Sequence, residues 1–135
     1  ILYKKSGLLA ISGISNDMRD LLDRSEPEAR LAVGYFVYRA AKEIGALAAV
    51  LGGVDGLVFT AGIGENAPVV RERSCQGLQA LGIEIDSQRN RERANERREI
   101  SAAKSRVKIL VVPTNEELRI AQETKRAIEL QPEKV

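Results

Sequence analysis

Val54-Asp55-Gly56-Leu57-Val58-Phe59-Thr60-Ala61-Gly62-Ile63-Gly64-Glu65-Asn66, continued by Ala67-Pro68-Val69-Val70-Arg71-Glu72, is the stretch from which the fold is read. Leu57, Val58 and Phe59 form a short apolar run that predicts a buried strand. The run breaks into two glycines one residue apart, and Pro68 suits the first turn of a helix. A strand, a glycine turn and a helix N-terminus together predict backbone N–H groups aimed at an anion. Gly62 and Gly64 have no Cβ and tolerate positive φ, so a flat base or a phosphate can approach the main chain there. The spacing is neither G-x-G-x-x-G nor the Walker sequence with its lysine. A tight strand-to-helix connection would need the same glycines for geometry alone.

Outward from this stretch, strands alternate with helices. Ser15 predicts an N-cap for a helix carrying Met18, Leu21 and Leu22 on one face. A longer helix is expected from Pro27, with Glu26 and Glu28 favourable near its start. Val33, Val37, Ala40, Ile44, Leu47 and Leu51 recur at helical spacing. Phe36, Ala41 and Ala48 widen that stripe, so burial on more than one side is expected, and Gly52-Gly53 ends the helix. After Pro68, Val70, Ser74, Cys75, Leu78 and Leu81 predict a helix running to Gly82. Ile83-Glu84-Ile85-Asp86 alternates as a short strand. Residues 87–99 are almost wholly polar and predict a solvated loop or a fraying helix. Lys108-Ile109-Leu110-Val111-Val112 predicts a second buried strand, and a last helix is expected from Asn115 to Glu129. The tail 131–135 is expected to be loose. This alternation predicts one α/β domain over 1–135 with a mostly parallel sheet flanked by helices.

Composition narrows the function classes. The 135 residues suffice for one ordinary core and not for two. A net charge of only +2 supplies no strong field toward nucleic acid or a membrane surface. No run approaches the roughly 18 apolar residues that a membrane span requires, and no leader sequence is evident. The single cysteine, Cys75, rules out a disulfide within the chain and suits a reducing, cytoplasmic setting. Cys75 lies on an apolar helix face, where core filler is the expected role. With no histidine, imidazole catalysis and histidine–metal ligation are impossible within these residues. The arginines 89, 91, 93, 97 and 98 alternate with glutamates and lack an aromatic for base stacking, so solvated surface is expected. Lys4 and Lys5 are read as surface too.

Several polar residues are candidates for chemistry. With Thr114 as N-cap, Glu117 falls at N3 and completes a capping box. Glu116 has no such duty and follows a strand at its C-terminal edge, where α/β sheets place their ligand crevice. A carboxylate there is suited to Mg²⁺, which takes one or two protein carboxylates and completes its shell with water and phosphate oxygens. Asp17 and Arg19 flank Met18 in a first helical turn, where Asp17 also suits the helix dipole. Asn66 is positioned to cap the following helix, and Ile63 offers an apolar face to a purine.

The string from Val58 to Asn66 resembles the adenosine-binding loop of the acetate kinase family, in the actin/Hsp70/hexokinase-like superfamily. Lys4-Lys5-Ser6-Gly7-Leu8-Leu9 with Ile14-Ser15-Asn16-Asp17-Met18-Arg19-Asp20-Leu21, and Ile109 to Leu118, fit the same family in the same order. The resemblance implies an incomplete ribonuclease H-like (actin-like ATPase) domain, the C-terminal part of a two-domain kinase. It implies ATP/ADP and Mg²⁺ as cofactors, and transfer of the γ-phosphoryl of ATP to acetate, giving acetyl phosphate and ADP. Nucleotide contacts are implied at Asp17, Met18, Arg19, Gly62, Ile63, Gly64, Glu65 and Asn66, and a metal ligand at Glu116, with no catalytic residue in this chain. The family's histidine, its acid-binding arginines and its phosphate loop have no match here, so the chain alone is expected to be inactive. A start at Ile1-Leu2-Tyr3 reads as mid-element, and a C-terminal fragment is expected. A homodimer is implied as well. A propionate or butyrate kinase, and a free-standing non-catalytic nucleotide-binding module, remain alternatives.

Overall fold

The computed structural model describes residues 6–92 and 96–129. Lys4, Lys5, Arg93 and the tail 131–135 therefore lie outside the described residues. Helices α1 (Gly7–Ser12), α2 (Met18–Leu22) and α3 (Pro27–Leu51) come first. Strand β1 (Gly56–Phe59), helices α4 (Ala61–Asn66) and α5 (Pro68–Cys75) and a 3₁₀ turn at Gln79–Leu81 follow. Helix α6 (Ser87–Arg91), strands β2 (Arg98–Glu99) and β3 (Lys108–Val111), and helix α7 (Glu116–Glu129) complete the order.

The sequence-predicted helix from Pro27 to Leu51 forms as expected. Its backbone turns left-handed at Gly52, with φ 73°, a conformation that glycine reaches without a Cβ penalty. Strands β1 and β3 pair in parallel, from Gly56 opposite Lys108 to Phe59 opposite Val111. The short strand β2 joins the other edge of β3 antiparallel, with Arg98 opposite Val111. The α/β class holds, in a sheet of order β1-β3-β2 whose longer pairing is parallel.

Two apolar clusters hold these elements. One gathers Met18, Leu21, Ala29, Ala32, Val33, Val37, Ala67 and Val70 between α2, α3 and α5. The other packs Cys75, Ile83, Ile100, Val107, Ile109 and Val111 under the sheet, with Ile44 of α3 and Leu57 and Phe59 of β1 against it. Helix α4 stands where they meet, Ile63 touching the first cluster and Phe59 just before it touching the second.

Five expectations change. Strand β1 is buried on one face only: it is a sheet edge, and Val58 on its other face is 53% exposed. Likewise α3 buries only part of its stripe, with Leu47 and Leu51 exposed. The helix after Pro68 stops at Cys75, because Gly77 takes φ 88° before the 3₁₀ turn. The alternation at Ile83–Asp86 yields an isolated bridge from Ile85 to Ser101, after which Asp86 caps α6. The polar tract 87–99 is not uniformly solvated: Asn90 is wholly buried, and Arg98 and Glu99 form β2.

Candidate functional site

The chain leaves β1 through Thr60, whose hydroxyl donates to the Val112 carbonyl at 2.8 Å and ties the ends of the parallel strands together. It then winds at once into α4. Gly62 and Gly64 sit in helical backbone, and the positive φ of this connection falls on Ala61, at 58°. That conformation is uncommon for a residue with a Cβ. The glycine turn expected between β1 and Pro68 is thus a short helix, closed by the Ala67 N–H just past its end, which donates to Ile63 O at 3.0 Å.

The two glycines are needed for different reasons. A Cβ at Gly64 would lie 3.1 Å from the carbonyl carbon of Phe59, so Gly64 lets α4 fold back on the strand end. A Cβ at Gly62 would meet nothing within 4 Å. Gly62 faces a cleft of about 910 Å³, which has the size of a small-molecule site. Asp17, Met18, Arg19, Ile63, Glu65 and Asn66 line that same cleft. Of the eight residues expected at a nucleotide, the fold brings seven together, across 49 positions of sequence from 17 to 66. Gly64 alone is turned away, toward Phe59.

Local bonding shows what each side chain already does. Asp17, not Ser15, caps α2: its Oδ1 accepts from the Arg19 N–H at 2.8 Å, while Ser15 Oγ accepts from the Asp17 N–H. The Arg19 guanidinium donates to Asp17 Oδ2 at 2.7 Å, and that bond lowers the Asp17 carboxyl below its ordinary range. Both side chains are exposed enough for the pair to contribute little to stability. Asn66 does not cap α5; its Nδ2 donates to Gly62 O at 3.0 Å, within α4.

Glu65 reaches across to the corner after β3. Its Oε1 accepts from both the N–H and the hydroxyl of Thr114, each at 2.8 Å. The Thr114 N–H first, then its hydroxyl, hold the Glu65 carboxyl below the usual glutamate range. Thr114 is therefore occupied by Glu65, and the predicted capping box does not form. Asn115 caps α7 instead, its Oδ1 accepting from the Leu118 N–H at 2.9 Å. Glu116 opens α7 with an exposed side chain and does not line the cleft. It stands two residues after Thr114, which bonds Glu65 of the cleft. Among the described residues no three His, Cys, Asp or Glu side chains converge on one point, so no all-protein metal cage is built. The hard oxygen of a lone carboxylate fits a cation that is completed by phosphate oxygens and water.

Two residues of the cleft floor were missed in the sequence. Arg71 is 1% exposed. Asn90 Oδ1 and O accept from its Nε and Nη2, while the carbonyls of Gly64 and Glu65 accept from its Nη1. Burial first, with Arg98 nearby, pushes its pKa down to about 10. A legible signal existed: Val70, Arg71, Ser74 and Cys75 make the inward stripe of α5, with a charged residue among them. Asn90 had no such signal, since its neighbours in sequence are all polar. Cys75 is buried core filler as expected, its thiol pushed up to about 12 by desolvation.

A sequence model described as the Acetokinase family matches residues 1–122. The chain is 51% identical over 133 residues to an acetate kinase of Caldicellulosiruptor saccharolyticus, a match covering 96% of this chain and 33% of that protein. Its fold superposes on a Porphyromonas gingivalis acetate kinase with TM-score 0.83 and 42% identity, covering 93% of this chain and 32% of the other. A propionate kinase of Francisella tularensis matches with TM-score 0.78 and 42% identity, over 90% of this chain and 31% of the other. The chain spans about a third of the length of the curated relatives it matches.

Proposed function

The chain belongs to the acetokinase family, and we propose that it supplies the nucleotide cradle of a kinase that phosphorylates a short carboxylic acid. The reaction is transfer of the ATP γ-phosphoryl to acetate, giving acetyl phosphate and ADP. One observation carries the assignment: seven residues expected at the nucleotide line a single cleft. Gly62 leaves room for the close approach of a base or ribose, and Ile63 supplies an apolar surface beside it. Arg19 stands at the rim, where it can exchange its bond to Asp17 for an anionic oxygen. Glu116 is the carboxylate suited to Mg²⁺, which neutralises charge on the phosphoryl oxygens when bound. ATP and acetate as substrates, a homodimer and a cytoplasmic location belong to this proposal. No helix among the described residues is long and apolar enough to cross a membrane.

The protein isolated from its source cells provides the test. Photolabelling with 8-azido-ATP is expected to mark peptides containing residues 17–19 and 62–66, and hydroxylamine trapping is expected to reveal acetyl phosphate. Labelling confined to other peptides overturns the site, and labelling without phosphoryl transfer leaves a non-catalytic nucleotide-binding module. The similarity to a propionate kinase favours one second reading, in which the acceptor is propionate or butyrate. Relative kcat/KM on acids of increasing length separates the two.

A further inference from the structure

Helix α4 is six residues long and contains two glycines, so neither length nor helix propensity holds it in place. Its position must come from outside. The Thr114 side is tied to Glu65 by an exposed contact. On the buried side, α4 presents the carbonyls of Gly64 and Glu65, which have no following turn to accept from, because the helix ends at Asn66. Arg71 Nη1 donates to both, at 2.8 and 2.9 Å.

Arg71 is itself held. Nε donates to Asn90 Oδ1 at 2.8 Å and Nη2 to Asn90 O at 2.6 Å, while Asn90 Nδ2 donates to Pro68 O at 2.9 Å. A buried guanidinium normally faces a carboxylate, since an uncompensated charge is costly to desolvate. Among the described residues Arg71 forms no ion pair and bonds only neutral oxygens. An apolar side chain would have filled the same space at lower cost. What it could not do is grip two carbonyls at the end of α4 through a planar fork.

We propose that Arg71, seated by Asn90, is the positioning residue of the nucleotide cleft: it fixes the C-terminal end of α4 so that Gly62, Ile63 and Asn66 face a nucleoside phosphate. This rests on the nucleotide assignment above. Arg71 and Asn90 lie in the cleft floor and act through α4.

Arg71→Met and Asn90→Ala in the full chain test the proposal, with fluorescent mant-ADP as probe and backbone hydrogen exchange as an independent readout. Arg71→Met is expected to weaken mant-ADP at least tenfold and to speed exchange at 61–67, with exchange in α3 and β3 unchanged. Asn90→Ala retains Arg71 and is expected to act in the same direction, less strongly; it decides the matter if Arg71→Met does not fold. Wild-type affinity in a folded variant, or exchange that rises uniformly with lowered Tm, overturns the positioning role. If the wild-type chain itself fails to bind mant-ADP, the nucleotide assignment for this chain falls. The exchange pattern then still decides whether Arg71 positions α4.

Discussion

Gly62 and Gly64 stand two positions apart in one short helix, yet alanine should have opposite effects at the two sites. At Gly64 the new methyl would press on the Phe59 backbone at 3.1 Å, and a backbone atom cannot swing aside. Gly64→Ala is therefore expected to lose about 1–3 kcal/mol of stability in denaturant titration. At Gly62 the methyl enters open space in helical backbone, so Gly62→Ala should be neutral or gain up to about 1 kcal/mol. Gly62→Ala should nonetheless weaken nucleotide binding, because its methyl stands in the cleft. Unchanged affinity would remove Gly62 from the site. Glu65 gives a pH prediction. Its folded carboxyl lies below the ordinary 4.5, so the link to Thr114 is fully present above that value. It is lost as pH falls through the lower folded value. An NMR titration of the Thr114 amide should show that depressed midpoint, and Glu65→Gln should abolish the transition.

At the scale of elements, α7 shows how a cap is decided. Thr114 and Asn115 are both good N-caps, and three-residue spacing to Glu117 favoured Thr114. The fold diverts Thr114 to Glu65, leaving the helix to Asn115. Helix α7 buries none of its side chains, so local terms weigh heavily in its stability. Asn115→Ala is expected to cost about 1 kcal/mol of helix stability, seen as lost far-ultraviolet helical signal. Thr114→Val should spare that signal while releasing Glu65. The reverse pattern would restore Thr114 as the cap. Helix α2 follows the same logic, starting at Met18 because Asp17 rather than Ser15 accepts from the Arg19 amide in its first turn.

For the whole molecule, α3 is the spine, since its first half packs in one apolar cluster and Ile44 in the other. Its remaining face carries Leu31, Tyr35 and Tyr38 in solvent, the two rings 6.5 Å apart. The homodimer proposed above would cover apolar surface of this kind. Sedimentation equilibrium is then expected to give twice the chain mass, with Tyr38→Asp shifting the chain to monomer. A Tyr38→Asp protein that remains dimeric removes this face from the interface. Concentration-dependent association without a fixed stoichiometry would instead indicate non-specific contact through the open faces.

The helical stripe of α3, its proline start and glycine stop, and the apolar runs of β1 and β3 were legible because they are local: periodicity and backbone restriction act within a few residues. The family's string from Val58 to Asn66 was equally local. Which face of β1 is buried, which of two hydroxyl- or amide-bearing residues caps α7, and where positive φ falls between Thr60 and Gly62 depended on partners dozens of positions away. Arg71 and Asn90 illustrate that division most sharply. Nineteen positions separate them; Arg71 falls on the inward stripe of its own helix, whereas Asn90 looks like surface beside its polar neighbours. Only when α5 and α6 pack do a guanidinium and an amide find one another under the end of α4, because burial makes every donor seek an acceptor at that place.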